Sequence, residues 1–93
     1  MNEILWSPNA EDAYLAILET TYFFSSAAAL DLDERTEHLL ERLRSHRYLC
    51  PPAPSLPGVR KCVITKNVSL VYESIGTTIQ ILMVVDNRME HLI

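Results

Sequence analysis

Two short groups of charged and amide side chains are the residues of this sequence best suited to bind a partner or an anion. Lys66 and Asn67 form the first group, and Asp86, Asn87 and Arg88 form the second. A lysine and an arginine can hold a phosphate, and amides and carboxylates can fix their positions. The simpler alternative is that Arg88 only pairs with a neighbouring carboxylate, which contributes little at a surface.

The stretch Gly58–Arg88 predicts three antiparallel strands that would bring these groups together. Lys66-Asn67 and Gly76-Thr77 each fit a two-residue hairpin loop, since Asn tolerates and Gly favours the left-handed backbone that such loops need. The first loop and the end of the last strand then lie at the same end of the sheet. We therefore expect Lys66 and Asn67 to lie near Asp86 and Arg88.

Loops of this length also fix the strand register and the two faces of the sheet. Val63 is expected opposite Leu70, Leu70 opposite Met83, and Arg60 opposite Glu73 as a cross-strand ion pair. Because successive strand residues point to opposite faces, one face is nearly all apolar and is predicted to form the core, and the other is mixed. The predicted core face contains Val59, Lys61, Val63, Val68, Leu70, Tyr72, Ile79, Ile81, Met83 and Val85.

Two helices are predicted before these strands. The first begins at Ser7-Pro8, a serine N-cap followed by a proline at the first helical position, and ends near Ser25–Ala29. The second begins at Asp31 or Asp33 and runs to about Ser45. Each carries an apolar stripe at helical spacing, so the pair can lie on the apolar sheet face. The stripes are Ala10, Ala13, Tyr14, Ile17, Leu18, Thr21 and Phe24, and Leu32, Thr36, Leu39, Leu40 and Leu43.

The remaining segments complete an α+β fold with the order β-α-α-β-β-β. Glu3–Trp6 is predicted as an edge strand that joins the sheet, and Tyr48–Pro57, with four of the five prolines, as an extended crossover. An N-terminal strand is thus followed by a two-helix hairpin, packed on one face of a small antiparallel sheet that ends in a three-strand meander. The length of 93 residues predicts a single domain, 1–93.

The net charge of −4 is unevenly distributed along the chain. Residues 1–41 contain nine acids and one base, whereas residues 42–72 contain six bases and no acid. A general nucleic-acid binder is usually basic overall, and this chain is not. It can still present one basic patch opposite an acidic helical side.

A cytoplasmic protein with no membrane partner is expected. The first six residues have no basic start of the kind a signal peptide needs, and no apolar run reaches the roughly 18 residues of a membrane span. Cys50 and Cys62 form no CxxC pair and are expected to be free thiols. A zinc site with His46 would match no common ligand spacing, and no metal or cofactor is expected.

The order of elements and several short motifs resemble the RelE/ParE superfamily of toxins, and in particular its ParE-like members. The resemblance covers essentially the whole chain. It implies the toxin of a type II toxin–antitoxin system of the plasmid-stabilisation kind, silenced by a cognate antitoxin protein. The motifs are Trp6-Ser7-Pro8-Asn9-Ala10, which is similar to a W-[ST]-x-x-A opening, Arg60-Lys61 with Val63-Ile64, Ser69-Leu70-Val71-Tyr72, Ile79-Gln80-Ile81-Leu82, and Asp86-Asn87-Arg88.

The resemblance implies one of two activities. ParE-like members inhibit DNA gyrase, and RelE-like members cut mRNA on the ribosome. If this chain were a nuclease, Arg88 would stabilise charge, His91 would act as acid or base and Lys66 would hold the phosphate. RelE-like nucleases tend to have an arginine before L-V-Y, however, and this chain has Ser69 there. The absence of this arginine and the pI of about 5.2 favour a gyrase inhibitor without nuclease activity.

A third alternative is a non-toxic remnant of the fold that keeps its antitoxin. All three alternatives imply an antitoxin partner, and a homodimer or a heterotetramer with the antitoxin is open. The aromatic run Tyr22-Phe23-Phe24 is more than one helix stripe can bury, which indicates either core packing with contact to the next helix or a partner interface. The candidates for antitoxin binding are Tyr22, Phe23, Leu39 and Leu43, and those for target binding are Lys66, Asn67, Asp86, Asn87 and Arg88.

Overall fold

A computed structural model describes residues 1–90 of the chain. The described residues form a four-stranded sheet in the order β1-β4-β3-β2, in which β1 is parallel to β4 and the other pairs are antiparallel. The predicted α+β fold and its element order are confirmed. The elements are β1 (Glu3–Trp6), α1 (Pro8–Phe24), α2 (Ser26–Ser45), β2 (Val59–Val63), β3 (Val68–Ile75), β4 (Thr78–Asp86) and α3 (Asn87–Glu90).

Ser7 begins α1 as predicted and also attaches the helix to the sheet. Its Oγ accepts a hydrogen bond from the Ala10 N–H at 3.1 Å, and Pro8 is the first helical residue. The same hydroxyl donates to the carbonyl of Leu82 at 3.1 Å, and the Ser7 N–H donates to the carbonyl of Ile81 at 2.9 Å. The start of α1 is therefore held against β4.

The second helix begins earlier than predicted. Ser25 ends α1 and caps α2, whereas Asp31 and Asp33 lie inside α2. The backbone of Ser25 is extended, and its Oγ accepts from the Ala28 N–H at 3.1 Å. Three alanines follow within the next four positions, and alanine has the highest helix propensity, so the helix extends back to this serine.

The core lies between the helix pair and one face of the sheet. In α1, Ala10 and Tyr14 are buried, but Phe24 is 81% exposed although its spacing places it on the predicted stripe. The last turn of α1 forms the corner of the helix hairpin, where the sheet does not cover it. The stripe predicted for α2 is buried in full, namely Leu32, Thr36, Leu39, Leu40 and Leu43.

The register of β2 differs by one residue from the prediction. The loop between β2 and β3 has three residues, Thr65–Asn67, because the Ile64 N–H donates to the carbonyl of Val68 at 2.9 Å. The Thr65 side chain fills this loop, since its Oγ1 accepts from the Asn67 and Val68 N–H groups at 3.3 and 3.2 Å. This side-chain bond competes with the tighter two-residue turn.

A slip of one residue turns every side chain of a strand to the other face. Cys62 now pairs with Leu70, and Val63 pairs with Ser69. Cys62 is buried and Val63 is 71% exposed, the reverse of the prediction. Lys61 likewise leaves the predicted core face and pairs with Val71.

A bulge in β4 changes the second half of the other hairpin. Tyr72 pairs with Ile81 as predicted, but Leu82 is an extra residue. Beyond it Leu70 pairs with Val84 instead of Met83, so Val84 is buried and Met83 is exposed. The carbonyl of Leu82 is the group that accepts a hydrogen bond from the Ser7 hydroxyl, so the bulge helps to attach the start of α1 to the sheet.

The two cysteines are joined in a disulfide, and the expectation of free thiols is wrong. The Sγ atoms of Cys50 and Cys62 are 2.05 Å apart. The register slip brings this about, because it turns Cys62 inward beneath the segment that carries Cys50. The predicted ion pair between Arg60 and Glu73 is also wrong, since Arg60 pairs with Tyr72 and its Nη1 donates to the carbonyl of Cys50 at 2.7 Å.

The proline segment runs along the outer edge of β2 and covers part of it. The Lys61 N–H donates to the carbonyl of Pro51 at 3.1 Å, and the Ala53 N–H donates to the carbonyl of Val59 at 2.8 Å. Buried Tyr72 holds the start of this segment, because its hydroxyl donates to the carbonyl of Arg47 at 2.8 Å. The extended path expected from the prolines thus becomes an irregular edge of the sheet.

Candidate functional site

The five target-binding candidates meet at one end of the sheet, and we call them the turn cluster: Lys66, Asn67, Asp86, Asn87 and Arg88. The backbone N–H of Asn87 donates to the carbonyl of Asn67 at 2.6 Å, which joins the end of β4 to the loop between β2 and β3. Lys66 and Arg88 line one cavity of about 430 Å³. The expected proximity is present, and the role of the cluster in target binding stays a prediction.

Within the turn cluster, Arg88 and Asp86 form a bidentate ion pair. The guanidinium Nη2 donates to Oδ2 at 2.8 Å and Nε donates to Oδ1 at 3.1 Å, and the Arg88 backbone N–H also donates to Oδ1 at 3.0 Å. These bonds lower the pKa of Asp86 and raise that of Arg88. The arginine is thereby oriented, and part of its charge is balanced before any partner arrives.

Ser69 occupies the position where a RelE-like nuclease is expected to place an arginine. It is completely buried beneath the turn cluster. The Asn87 side chain donates from Nδ2 to its Oγ at 3.2 Å. An arginine here would have to displace Asn87 to reach water, so this position supplies structure and not positive charge.

The cavity beside the turn cluster joins it to the exposed aromatic side chains at the corner of the helix hairpin. We call Tyr22, Phe23 and Phe24 the aromatic tip. Phe24 lines the same cavity as Lys66 and Arg88, and its ring packs edge-on against Phe23 with the centroids 5.5 Å apart. The sequence missed Phe24 as a surface residue, because its spacing matches the core stripe of α1. The excess of three adjacent aromatic residues was the signal that could have found it.

The candidates for antitoxin binding separate into two pairs. Tyr22 and Phe23 are exposed, and Phe23 is 83% exposed. Leu39 and Leu43 are buried between α2 and the sheet, so neither presents an exposed side chain that an antitoxin could contact. This corrects the prediction for the two leucines, whose spacing marks the buried stripe of α2.

The described part of the chain, residues 1–90, locates only two of the three nuclease candidates. Lys66 and Arg88 are in the turn cluster, and His91 lies outside the described residues. Within the same range no group of three or more His, Cys, Asp or Glu side chains is placed to hold a metal ion. No helix in residues 1–90 is both long and apolar enough to cross a lipid bilayer.

Several solved structures share this fold. The chromosomal ParDE TA system from P. aeruginosa is similar at 21% identity with a TM-score of 0.75, over 92% of this chain and 96% of that one. The YoeB/ParE toxin from Agrobacterium tumefaciens is similar at 14% identity with a TM-score of 0.66, over 90% and 96%. The YoeB dimer from Staphylococcus aureus is similar at 18% identity with a TM-score of 0.67, over 90% and 94%.

The sequence identifies the family more directly than these structures do. No curated protein matches the sequence. The family model described as "ParE toxin of type II toxin-antitoxin system, parDE" matches residues 4–91, which is nearly the whole chain. The chain therefore belongs to the ParE family of toxins from type II toxin–antitoxin systems, within the RelE/ParE superfamily.

Proposed function

We propose that this toxin inhibits DNA gyrase in the cytoplasm and does not cut mRNA. The observation that carries the proposal is the chemistry at Ser69. Cleavage of RNA by its own 2′-hydroxyl passes through a phosphorane whose extra negative charge needs fixed cations. Where that cation is expected, the chain has a buried serine whose hydroxyl is bonded to Asn87.

The remaining cations of the turn cluster support the same proposal. Asp86 holds Arg88 in a bidentate ion pair, so Arg88 is a weaker phosphate ligand than an unpaired arginine. Lys66 is then the cluster's other cation. A chain of net charge −4 is also poorly suited to tight binding of the phosphate-rich ribosome, because such binding requires many phosphates to be neutralised over a wide surface.

We further propose that the turn cluster contacts the target and that the aromatic tip contacts the antitoxin. The two surfaces border one cavity of about 430 Å³, through Phe24 on one side and Lys66 with Arg88 on the other. An antitoxin segment seated on the aromatic tip would then obstruct the turn cluster. Antitoxin binding and target binding would be mutually exclusive for this steric reason.

Purified toxin added to gyrase and relaxed plasmid tests the proposal. Supercoiling should fall and cleaved plasmid should accumulate, whereas mRNA in a parallel translation reaction should stay intact. Arg88→Ala should weaken inhibition at least about tenfold if the turn cluster makes a central contact. Arg35→Ala is the matched control, because Arg35 is an exposed arginine paired with Asp31 on α2.

The alternatives give different results in the same experiments. Ribosome-dependent cuts in mRNA that disappear in Arg88→Ala would replace the gyrase proposal with a RelE-like endonuclease. Normal growth during expression without the antitoxin, together with unaffected gyrase, would point to a non-toxic remnant that retains antitoxin binding.

A further inference from the structure

A second charged surface lies at the other end of the sheet from the turn cluster. It is built from the end of α2, the start of the proline segment and β2, and we call it the arginine surface. Its members are Arg42, Arg44, Arg47, Tyr48 and Arg60. All five come from residues 42–72, the part of the chain with six bases and no acid. Neither the target-binding nor the antitoxin-binding candidates include any of them.

Two arginines share one exposed aromatic ring at the centre of this surface. The guanidinium carbons of Arg47 and Arg60 lie 5.0 and 4.9 Å from the centre of the Tyr48 ring, which is a cation–π distance. The two cations are therefore no more than about 10 Å apart. Tyr48 is 63% exposed and Arg47 is also exposed, whereas Arg60 is half-buried, so a ligand can reach the ring and Arg47 from solvent.

Both guanidinium groups are also fixed by the backbone. Arg47 Nη1 donates to the carbonyl of Gly76 at 2.7 Å, and Arg60 Nη1 donates to the carbonyl of Cys50 at 2.7 Å. Each bond uses one of five guanidinium N–H donors and leaves the others for a ligand. The Tyr48 segment is held on either side, by the Tyr72 hydroxyl on the carbonyl of Arg47 and by the disulfide at Cys50.

An open groove beside the ring offers space for a ligand. Its volume is about 810 Å³, and it is lined by Arg42, His46, Arg47 and Tyr48 along with Glu41, Ser45 and Leu49. Arg44 is partly balanced by Glu41, at 3.7 Å. Fixed, planar guanidinium forks are well matched to phosphate oxygens, and little rotamer entropy remains to be lost when they bind.

The arginine surface is separate from the turn cluster. Arg47 reaches Gly76, the turn at one end of β3, whereas Lys66 and Asn67 lie in the loop at the other end. The eight residues of β3 place about 23 Å between these ends. One molecule could therefore hold a target protein with one end and a polyanion with the other.

We propose that the arginine surface binds the phosphate backbone of duplex DNA. The choice of DNA over another polyanion rests on the proposed function, since gyrase holds duplex DNA while it acts. A toxin bound to gyrase by its turn cluster would contact DNA next to the enzyme through Arg47 and Arg60. The acidic charge on residues 1–41 confines this contact to one end of the molecule, so binding is weak. Because the arginines would contact phosphates and not base edges, binding is also independent of base sequence.

Fluorescence anisotropy of a labelled 20-base-pair duplex with the untagged protein tests the inference without gyrase. Binding should be in the roughly micromolar to 100-micromolar range of non-specific DNA contacts, with a salt dependence that corresponds to about two to four phosphates. Arg47→Ala should lower the slope of log affinity against log salt by about one, and Arg47→Lys should restore much of it. Arg35→Ala changes the net charge equally and should have a clearly smaller effect.

Two substitutions at Tyr48 test whether its aromatic ring contributes to DNA binding. Tyr48→Ala removes the platform shared by both guanidinium groups and should weaken binding about two- to fivefold, whereas Tyr48→Phe should bind like the original chain. Thermal unfolding of each variant identifies any that fail to fold. The salt slope of the unaltered protein and the Arg47→Lys comparison remain decisive even then.

Three results would overturn the inference. They are a salt slope near zero, equal losses from Arg47→Ala and Arg35→Ala, and a polyglutamate peptide that binds as tightly as DNA with the same variant losses. The last would make this a surface for an acidic protein. Loss of DNA binding leaves the gyrase proposal standing, and DNA binding that depends on Arg47 without gyrase inhibition removes only the proposed function.

Discussion

Asn87 donates from its backbone N–H to the carbonyl of Asn67 at 2.6 Å, and this bond links the two parts of the turn cluster. It joins the residue after β4 to the loop between β2 and β3, which are 20 positions apart in the chain. The side chain of the same asparagine donates to buried Ser69. Asn87 therefore helps to place Arg88 near Lys66. Its side chain also covers Ser69, the position where a nuclease would need a cation.

The register of β2, which differs by one residue from the prediction, can be tested with two neighbouring substitutions. Ile64→Ala should lower the free energy of unfolding by about 2–4 kcal/mol, because it removes a buried side chain. Val63→Ala should change it by no more than about 0.5 kcal/mol, because Val63 is on the surface. Urea unfolding measures both, and a larger loss from Val63→Ala would restore the register with Val63 inside.

The disulfide between Cys50 and Cys62 predicts a difference between oxidised and reduced protein. Closing a loop with a sequence separation of 12 should stabilise the fold by about 3 kcal/mol, in a model where the cross-link restricts the unfolded chain. Thiol titration in denaturant should find no free thiol before reduction and two after it. Unfolding of the two forms, compared in guanidinium chloride, gives the stability difference. Two reactive thiols in protein prepared without reductant would contradict the bond.

The hydrogen bond between Tyr14 and Asp33 predicts a contribution to the contact between α1 and α2. The buried Tyr14 hydroxyl donates to Asp33 Oδ1 at 2.6 Å. Tyr14→Phe should lower the free energy of unfolding by about 1 kcal/mol, a discounted value because Asp33 is exposed. Asp12→Asn, on the exposed side of α1, is a control that leaves this bond intact.

The same bond has a predicted pH dependence. Burial, and after it the hydrogen bond to Asp33, raises the pKa of Tyr14 above its ordinary value of 10.0. A folded-state pKa above the unfolded one stabilises the fold in full below pH 10.0, and this contribution is lost as pH rises through the folded-state pKa. Unfolding measured from pH 7 upward should show a smaller alkaline loss in Tyr14→Phe. An unchanged alkaline profile would contradict the assignment.

The aromatic tip predicts an antitoxin interface that can be weakened without weakening the fold. Phe23→Ser should reduce affinity for the cognate antitoxin about tenfold or more, because exposed aromatic residues commonly dominate such interfaces. Its effect on stability should be small, since the ring is largely in solvent. Leu15→Ser, which alters another exposed apolar residue of α1, is the matched control. Isothermal titration calorimetry that finds equal affinities for both variants would remove the tip from the interface.

The sequence alone determined the element types and their order, because periodicity and capping are local properties. Ser7 and Pro8 marked the start of α1, and the leucine stripe of α2 marked its buried face. The close approach of the two parts of the turn cluster was also predictable, since antiparallel hairpins leave little freedom about which strand ends meet. The family resemblance rested on the same order of elements and motifs.

Only the tertiary structure decided the register of β2, the bulge at Leu82, the disulfide and the arginine surface. Register is set by competition between loops that differ by one residue, and the Thr65 side chain determines the outcome through bonds to two backbone N–H groups. The bulge depends on Ser7, which is distant in sequence. In the observed register of β2, Cys62 faces Cys50 and Arg60 faces Tyr48. A shift of one residue reverses the face of every side chain in a strand, so the predicted register had placed both on the opposite face.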